Sequence, residues 1–161
     1  MKTIPLTQGK FAIVDDDDYP ELSRSKWYAS YSKTGGWVVR REVRGRQVKM
    51  SRILLRAPVG VQVDHANRDP FDNRRFNLRR CTPSQNSCNR RVRSDNPIGF
   101  KGIRWARRGF KHFRADITAR PGVRIYLGRF LTLTEAVRAY NKAAIRYHGE
   151  FACLNQTENG G

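Results

Sequence analysis

The sequence predicts an α+β chain: a strand-rich N-terminal module carrying a ββα core, then a three-stranded antiparallel sheet packed on one α-helix. Three observations predict it. A short apolar run (Val59, Val61, Val63) ends in Asp64-His65, and a polar turn, a strand from Leu78 and a helical segment after Thr82 follow. Between Lys111 and Leu127, apolar and polar residues alternate with the period of strands that have one dry face. Thr132 and Glu135 then form a capping box that opens a helix, and Gly149 closes it.

The elements follow in order. Residues 1–58 form the N-terminal module, 59–90 the ββα core, 91–98 a basic linker, 99–155 the second domain and 156–161 a disordered tail. Lys10 to Val14 is a predicted strand closed by Asp15-Asp16-Asp17-Asp18, a solvated acidic turn that also caps a short helix at Tyr19-Pro20-Glu21-Leu22. Trp27 to Tyr31, Trp37 to Val43 and Gln47 to Met50 are predicted strands, with Gly35-Gly36 and Gly45 supplying turns. Ser51 to Arg56 is a short helix ended by Pro58. Thr82 caps the core helix, with Pro83 at its first position. Asp72-Asn73 shapes the loop as an Asx-type turn, and Asn89 is expected on the solvated side of the helix. In the second domain, Gly102 to Ala106, Lys111 to Thr118 and Val123 to Leu127 are three strands joined at Arg108-Gly109 and Pro121-Gly122. Ala136, Tyr140, Ala143 and Tyr147 make the helix stripe that covers the sheet, and His148 sits at the helix C-terminus.

Composition narrows the function. The chain has 161 residues, a formal net charge of +18 and 39% hydrophobic residues. A balance this basic calls for a polyanionic partner, most plausibly nucleic acid. The basic residues interleave with Trp, Tyr and Gly in strand-like stretches, which excludes a basic membrane-binding helix, and no apolar run has the length of a span. The N-terminal MKTIPLTQGK lacks a signal peptide's apolar stretch, so an intracellular product is expected. Cys81, Cys88 and Cys153 form no Cys-x-x-Cys pair and are expected to be reduced structural thiols.

The candidate site residues are Asp64, His65, Asn77 and Asn86, with spacings of 77 − 65 = 12 and 86 − 77 = 9 positions. Asp64 supplies a carboxylate and Asn86 an amide oxygen, hard donors that suit Mg2+ or Mn2+ better than zinc. Neutral His65 is available near pH 7 to take a proton from water. This arrangement resembles the ββα-metal core of the His-Asn-His (HNH) endonucleases, in the subgroup with Asn in the last His position. The resemblance implies that His65 is the general base, that Asp64 and Asn86 hold one metal ion, and that Asn77 is a catalytic residue fixing the loop that bears the base. Asn86 in place of the commoner His is a departure. Arg74, Arg75, Arg90, Arg91 and Arg93 flank the core as candidate DNA contacts, because guanidinium groups suit phosphate.

The second domain resembles the Apetala2, or ethylene-response-factor, domain. The matching residues are Lys101-Gly102-Ile103-Arg104, Arg124-Ile125-Tyr126-Leu127-Gly128-Arg129-Phe130, Glu135-Ala136, Ala139-Tyr140-Asn141-Lys142-Ala143-Ala144 and Leu154-Asn155. The resemblance implies a sheet that lies in the major groove and reads bases. The readers would be Lys101, Arg104, Arg107, Arg114, Asp116, Thr118, Arg124 and Tyr126. Tyr126 stands where Trp is usual, so the base sequence read does not transfer.

Together these features point to a site-specific DNA endonuclease of the phage or prophage homing type. It would act in the bacterial cytoplasm on double-stranded DNA, as a monomer or transient dimer, with no membrane and no small-molecule substrate. The alternative is a non-catalytic DNA-binding regulator with a relict nuclease core.

Overall fold

The computed structural model describes residues 1–33, 35–106 and 113–156. Strands and helices are both present, and the sheets among the described residues are small and antiparallel. The chain divides into two compact units, Met1–Asn86 and Ser87–Gly161.

In the first unit, β1 (Lys2–Pro5) pairs with β2 (Phe11–Val14), and β3 (Tyr28–Ser32), β4 (Gly36–Val43) and β5 (Arg46–Lys49) form a meander. Helices α1 (Tyr19–Leu22) and α2 (Met50–Leu54) are each a single short stretch. Then β6 (Gln62–His65) pairs with β7 (Leu78–Cys81), and α3 (Pro83–Cys88) follows. The apolar alternation of these strands has one destination. Ile4, Val14, Leu22, Trp27, Val39, Met50, Leu54 and Leu78 are buried in a single core, so the N-terminal strands and the β6–β7 hairpin are packed together. Each such side chain contributes about 1.5–3 kcal/mol through removal from water.

Several expectations need correcting here. Strand β1 was not foreseen, because Lys2–Pro5 is short and contains a proline. The run Val59, Val61, Val63 is not all strand: Val59 is fully exposed, and β6 begins only at Gln62. Pro58 and Gly60 bend the chain first, with the Val61 amide bonded to the Pro58 carbonyl. The acidic run is not simply a solvated turn. Asp18 stands at the N-cap of α1 without a side-chain capping bond, and its carboxylate instead accepts from Nε and Nη2 of Arg75 at 2.8 and 2.6 Å. Asp15 accepts from the Arg75 amide at 2.7 Å. Asn89 is buried rather than solvated.

In the second unit, β8 (Ile103–Trp105), β9 (Phe113–Arg120) and β10 (Val123–Phe130) form one antiparallel sheet with β9 in the middle. The Arg108-Gly109 turn lies outside the described residues. The third strand runs past Leu127, and its register slips between Tyr126 and Gly128. That irregularity lets Leu127 and Phe130, three residues apart, both reach the core. Helix α4 (Leu133–His148) covers the dry face with Ala136, Val137, Tyr140, Ala143 and Ala144. Tyr147, expected in the stripe, is 37% exposed. The capping box forms both ways, with Glu135 N donating to Thr132 Oγ1 and Thr132 N donating to Glu135 Oε2. The His148 ring also ties the helix end to the sheet, 2.8 Å from the Thr118 carbonyl.

Asn155 closes this unit. Its Oδ1 accepts from the Lys101 amide at 2.7 Å, its Nδ2 donates to the Lys101 carbonyl at 2.9 Å, and its backbone exchanges two bonds with the Asn141 side chain. Asn155→Ala strips both partners from the Lys101 backbone. The expected loss is about 2 kcal/mol, which lowers the melting temperature of this unit by roughly 10 °C in a calorimetric scan of the full chain.

Cys81, Cys88 and Cys153 are all free thiols, as expected. No helix among the described residues is long and apolar enough to cross a membrane.

Candidate functional site

The strand β6 alternates, so Gln62 and Asp64 face one side and Val63 and His65 the other. On the first side, Asp64 lies opposite Arg79 in the ladder. Arg79 donates from Nε and Nη2 to Asp64 Oδ2 at 2.9 and 2.7 Å, and the Asp64 side chain is only 8% exposed. Helix α3 brings Asn86 to the same strand, where its Nδ2 donates to Gln62 Oε1 at 2.7 Å. The expectation that Asn86 faces back towards the Asp64-His65 strand is met through Gln62. The amide orientation turns Oδ1 of Asn86 away from Gln62. Helix α3 itself is opened by a second capping box, between Thr82 and Gln85.

His65 is held by the loop that follows it. Its Nε2 is 3.3 Å from Oδ1 of Asn73, a residue only 1% exposed. The amide of Asn73 is oriented by its other end, since Nδ2 donates to the Pro70 carbonyl at 3.1 Å. Oδ1 therefore accepts, Nε2 of His65 carries the proton, and the basic lone pair is on Nδ1. The pKa of His65 is lowered from its ordinary value. Burial is the largest influence and pushes it down; the Asn73 hydrogen bond and the carboxylates of Asp64, Asp69 and Asp72 oppose it without overcoming it.

Asn77 is the hub of that loop. Its Oδ1 accepts from the Asn67 amide at 2.9 Å, and its Nδ2 donates to Asn67 Oδ1 at 3.0 Å and to the Asp72 carbonyl at 2.7 Å. Its own carbonyl takes the Ala66 amide at 2.8 Å, next to His65. The loop is pinned from outside as well. Phe71 and Asn73 exchange backbone bonds with Ile13 of β2 at 2.8 Å each. Asp72 makes the expected Asx turn and takes Nε and Nη2 of Arg74 at 2.8 and 2.7 Å.

Two of the arginines named from sequence also pair inside the chain. The Arg74 guanidinium meets Asp72, and the Arg75 guanidinium meets Asp18 and the Leu54 carbonyl while its amide donates to Asp15. Arg90 and Arg91 are exposed, and Arg93 pairs with Asp95 at the surface. Sequence reasoning missed Asn73, Asn67 and Gln62 as site residues. The Asp72-Asn73 dipeptide was the one available signal, and it was read as turn chemistry alone.

The donor set suits a hard divalent cation. Asp64 and Asn86 offer a carboxylate and an amide oxygen, while no group of three or more His, Cys, Asp or Glu residues among the described residues is placed to hold a metal. A cation held by these two residues would need phosphate oxygens and waters to complete its shell, as magnesium sites commonly do.

The second unit carries a different constellation on the outer face of its sheet. The registers set Arg104 beside Arg114, Tyr126 beside Asp116, and Arg124 beside Thr118. Asp116 is buried, and its carboxylate is 2.8 Å from Nη2 of Arg114, 3.1 Å from Arg104 and 3.9 Å from Arg124. Burial by itself would raise the Asp116 pKa, but the Arg114 hydrogen bonds and the three positive charges outweigh it and hold it low. The Arg114 guanidinium also stacks 4.8 Å from the Tyr126 ring, and Tyr126 is 53% exposed. Thr118 is exposed. The Lys101 ammonium donates to the Cys88 and Arg90 carbonyls. Arg107 lies outside the described residues.

Comparison with known proteins places the first of these constellations. Residues 56–88 match the HNH endonuclease family. The chain is also 30% identical over 95 residues to Protein 3.8 of Escherichia phage T7, covering 59% of this chain and 76% of that one. The segment that carries Asp64, His65, Asn77 and Asn86 therefore matches the HNH endonucleases. An uncharacterized HNH endonuclease of Acanthamoeba polyphaga mimivirus is 29% identical over 155 residues, covering 94% of this chain and 78% of the relative. Both relatives are viral proteins. No solved structure shows significant similarity to the chain.

Proposed function

We propose that this chain is a metal-dependent, site-specific DNA endonuclease of the homing type, cutting with the β6–β7–α3 unit and reading DNA with the outer face of the β8–β10 sheet. The observation that carries the reading is the setting of His65. A buried amide fixes its tautomer, burial keeps it neutral, and it ends a strand whose other face bears Asp64, inside the segment that matches the HNH endonucleases.

Asp64 and Asn86 would hold one Mg2+ or Mn2+. Bound there, the ion offsets negative charge on the phosphodiester and the departing oxygen. His65 Nδ1 takes a proton from water, the resulting hydroxide attacks phosphorus, and the bond to the departing deoxyribose oxygen breaks. Asn73 and Asn77 keep the imidazole aimed while this happens. Arg79, anchored on Asp64, adds positive charge next to the phosphate. In the second unit, Arg104, Arg114, Arg124, Thr118 and Tyr126 offer donors and a ring for base edges, with the polar-aromatic character that major-groove readout requires. Dividing the work is physically economical: phosphate contacts set position and base contacts set sequence. If about eight phosphates are contacted, affinity falls by roughly 10⁴-fold between 50 and 200 mM salt.

The pH dependence follows from His65. Protonation removes the base, and a lowered pKa moves the acid limb to lower pH. Cleavage should therefore be on its plateau at pH 7 and decline only below about 6.5, the ordinary imidazole value. A pH–rate profile of DNA cleavage at fixed metal concentration checks this; a limb centred above pH 7 would contradict it.

The metal reading is tested by titrating Mn2+ into the wild-type chain and into Asp64→Ala, by calorimetry and with cleavage of host genomic DNA in parallel. Saturable binding and cleavage, both lost in the variant, are expected. Cleavage that survives in chelator would refute it.

A further inference from the structure

The Asp116 cluster inverts what a base-reading aspartate requires. A carboxylate that accepts from a cytosine amino group must reach the groove. Asp116 is only 3% exposed, and Arg104, Arg114 and Arg124 lie over it with side chains 50, 35 and 59% exposed. The carboxylate faces the guanidinium groups, and the guanidinium groups face solvent. Tyr126, opposite Asp116 in the ladder, closes the side by stacking on Arg114.

We propose that Asp116 is the positioning residue of this face: its buried carboxylate gathers Arg104, Arg114 and Arg124 into one fixed fan of donors, and so sets sequence discrimination without touching DNA. The inference rests on the reading of this sheet as the DNA reader.

A free arginine side chain carries substantial rotamer freedom, and DNA binding has to remove it. One carboxylate shared by three arginines removes much of it beforehand, which favours the bidentate geometry that distinguishes guanine from other bases. The same carboxylate has an electrostatic effect of opposite sign. Three guanidinium charges against one carboxylate leave a net charge of two on the face. Neutralising Asp116 raises that to three and releases the arginines, so they can meet any phosphate. Specific and non-specific binding should therefore move in opposite directions, which simple damage to the sheet cannot produce.

The test is selection of bound sites from a random duplex pool, in chelator, by the full-length wild-type chain and by Asp116→Asn and Asp116→Glu. Affinity for the selected and for scrambled DNA is then measured across a salt series, and thermal melts report folding. For Asp116→Asn, the ratio of specific to non-specific affinity should fall by about 10-fold or more, scrambled DNA should bind more tightly at low salt, and the salt slope should steepen by about one ion. Asp116→Glu, which keeps the charge, should restore most of the ratio.

Other outcomes overturn the inference in distinguishable ways. A wild-type motif retained by Asp116→Asn with an unchanged ratio removes the positioning role and leaves the sheet as reader. Relaxation at one base position alone makes Asp116 a direct base contact. Loss of a cooperative melt in both variants makes it a structural residue. A wild-type chain that selects no motif overturns the reading of the sheet, and this inference with it.

Discussion

His65→Ala should lose DNA cleavage by 10²- to 10⁴-fold, the usual contribution of a positioned general base, while binding DNA as the wild type does. His65 bonds to Asn73 through Nε2, and it is not part of the apolar cluster formed by Ile4, Val14, Met50 and Leu78. Asn77, which spans the loop with three side-chain bonds, remains in place. The defect should therefore appear in kcat, with substrate affinity unchanged. Single-turnover cleavage beside a filter-binding isotherm makes the comparison. A variant that binds more weakly, or that cuts at the wild-type rate, would place His65 outside the chemistry.

Gly102→Ala should be the most destabilising single methyl addition in the second unit. Gly102 has φ +73°, a left-handed conformation that an L side chain adopts at a penalty of about 1–2 kcal/mol. A Cβ there would also lie 2.3 Å from Tyr140 Cε2 and 2.5 Å from the Asp116 carbonyl oxygen. Neither neighbour can retreat. Tyr140 is buried between helix and sheet, and the Asp116 backbone is in the central strand, with its amide bonded to the Gly102 carbonyl at 2.9 Å. Overpacking of that kind adds about 1–3 kcal/mol, for a total of roughly 2–5 kcal/mol. Circular dichroism melts of the full chain should show the unfolding of the second unit shifted to lower temperature or absent. A melt within a degree of wild type would mean that the backbone relaxes freely there.

What the sequence made legible has a physical pattern. Asp64, His65, Asn77 and Asn86 were readable because their order and spacing are properties of the chain itself, and the hairpin and helix bring three of them onto adjacent elements. The second sheet and its helix were readable because period-two alternation and a capping box are local signals, and the capping box formed both ways. The contacts that needed long-range register were not readable. Arg79 meets Asp64 only through the β6–β7 pairing, and Arg75 finds Asp18 across 57 residues of sequence. No local rule reports either. Asp116 shows the same limit from another side. Alternation put it on the polar face correctly, but its burial arises because arginines from three strands close over it. Composition counted those arginines as loose positive charge. Arg74 and Arg75, named as candidate DNA contacts from their charge, also pair with Asp72 and Asp18 inside the chain, partners that no local rule reports.

Metal-dependent cleavage separates a nuclease from a DNA-binding regulator. Supercoiled plasmid and host genomic DNA should be incubated with the wild-type chain in Mg2+ and in chelator, with His65→Ala alongside. The expected result is conversion to open circles, linear molecules or discrete genomic fragments in Mg2+ alone, absent in chelator and lost in the variant. Intact DNA in every lane, with salt-sensitive binding retained, would contradict the nuclease reading and make the chain a DNA-binding regulator built on an HNH frame.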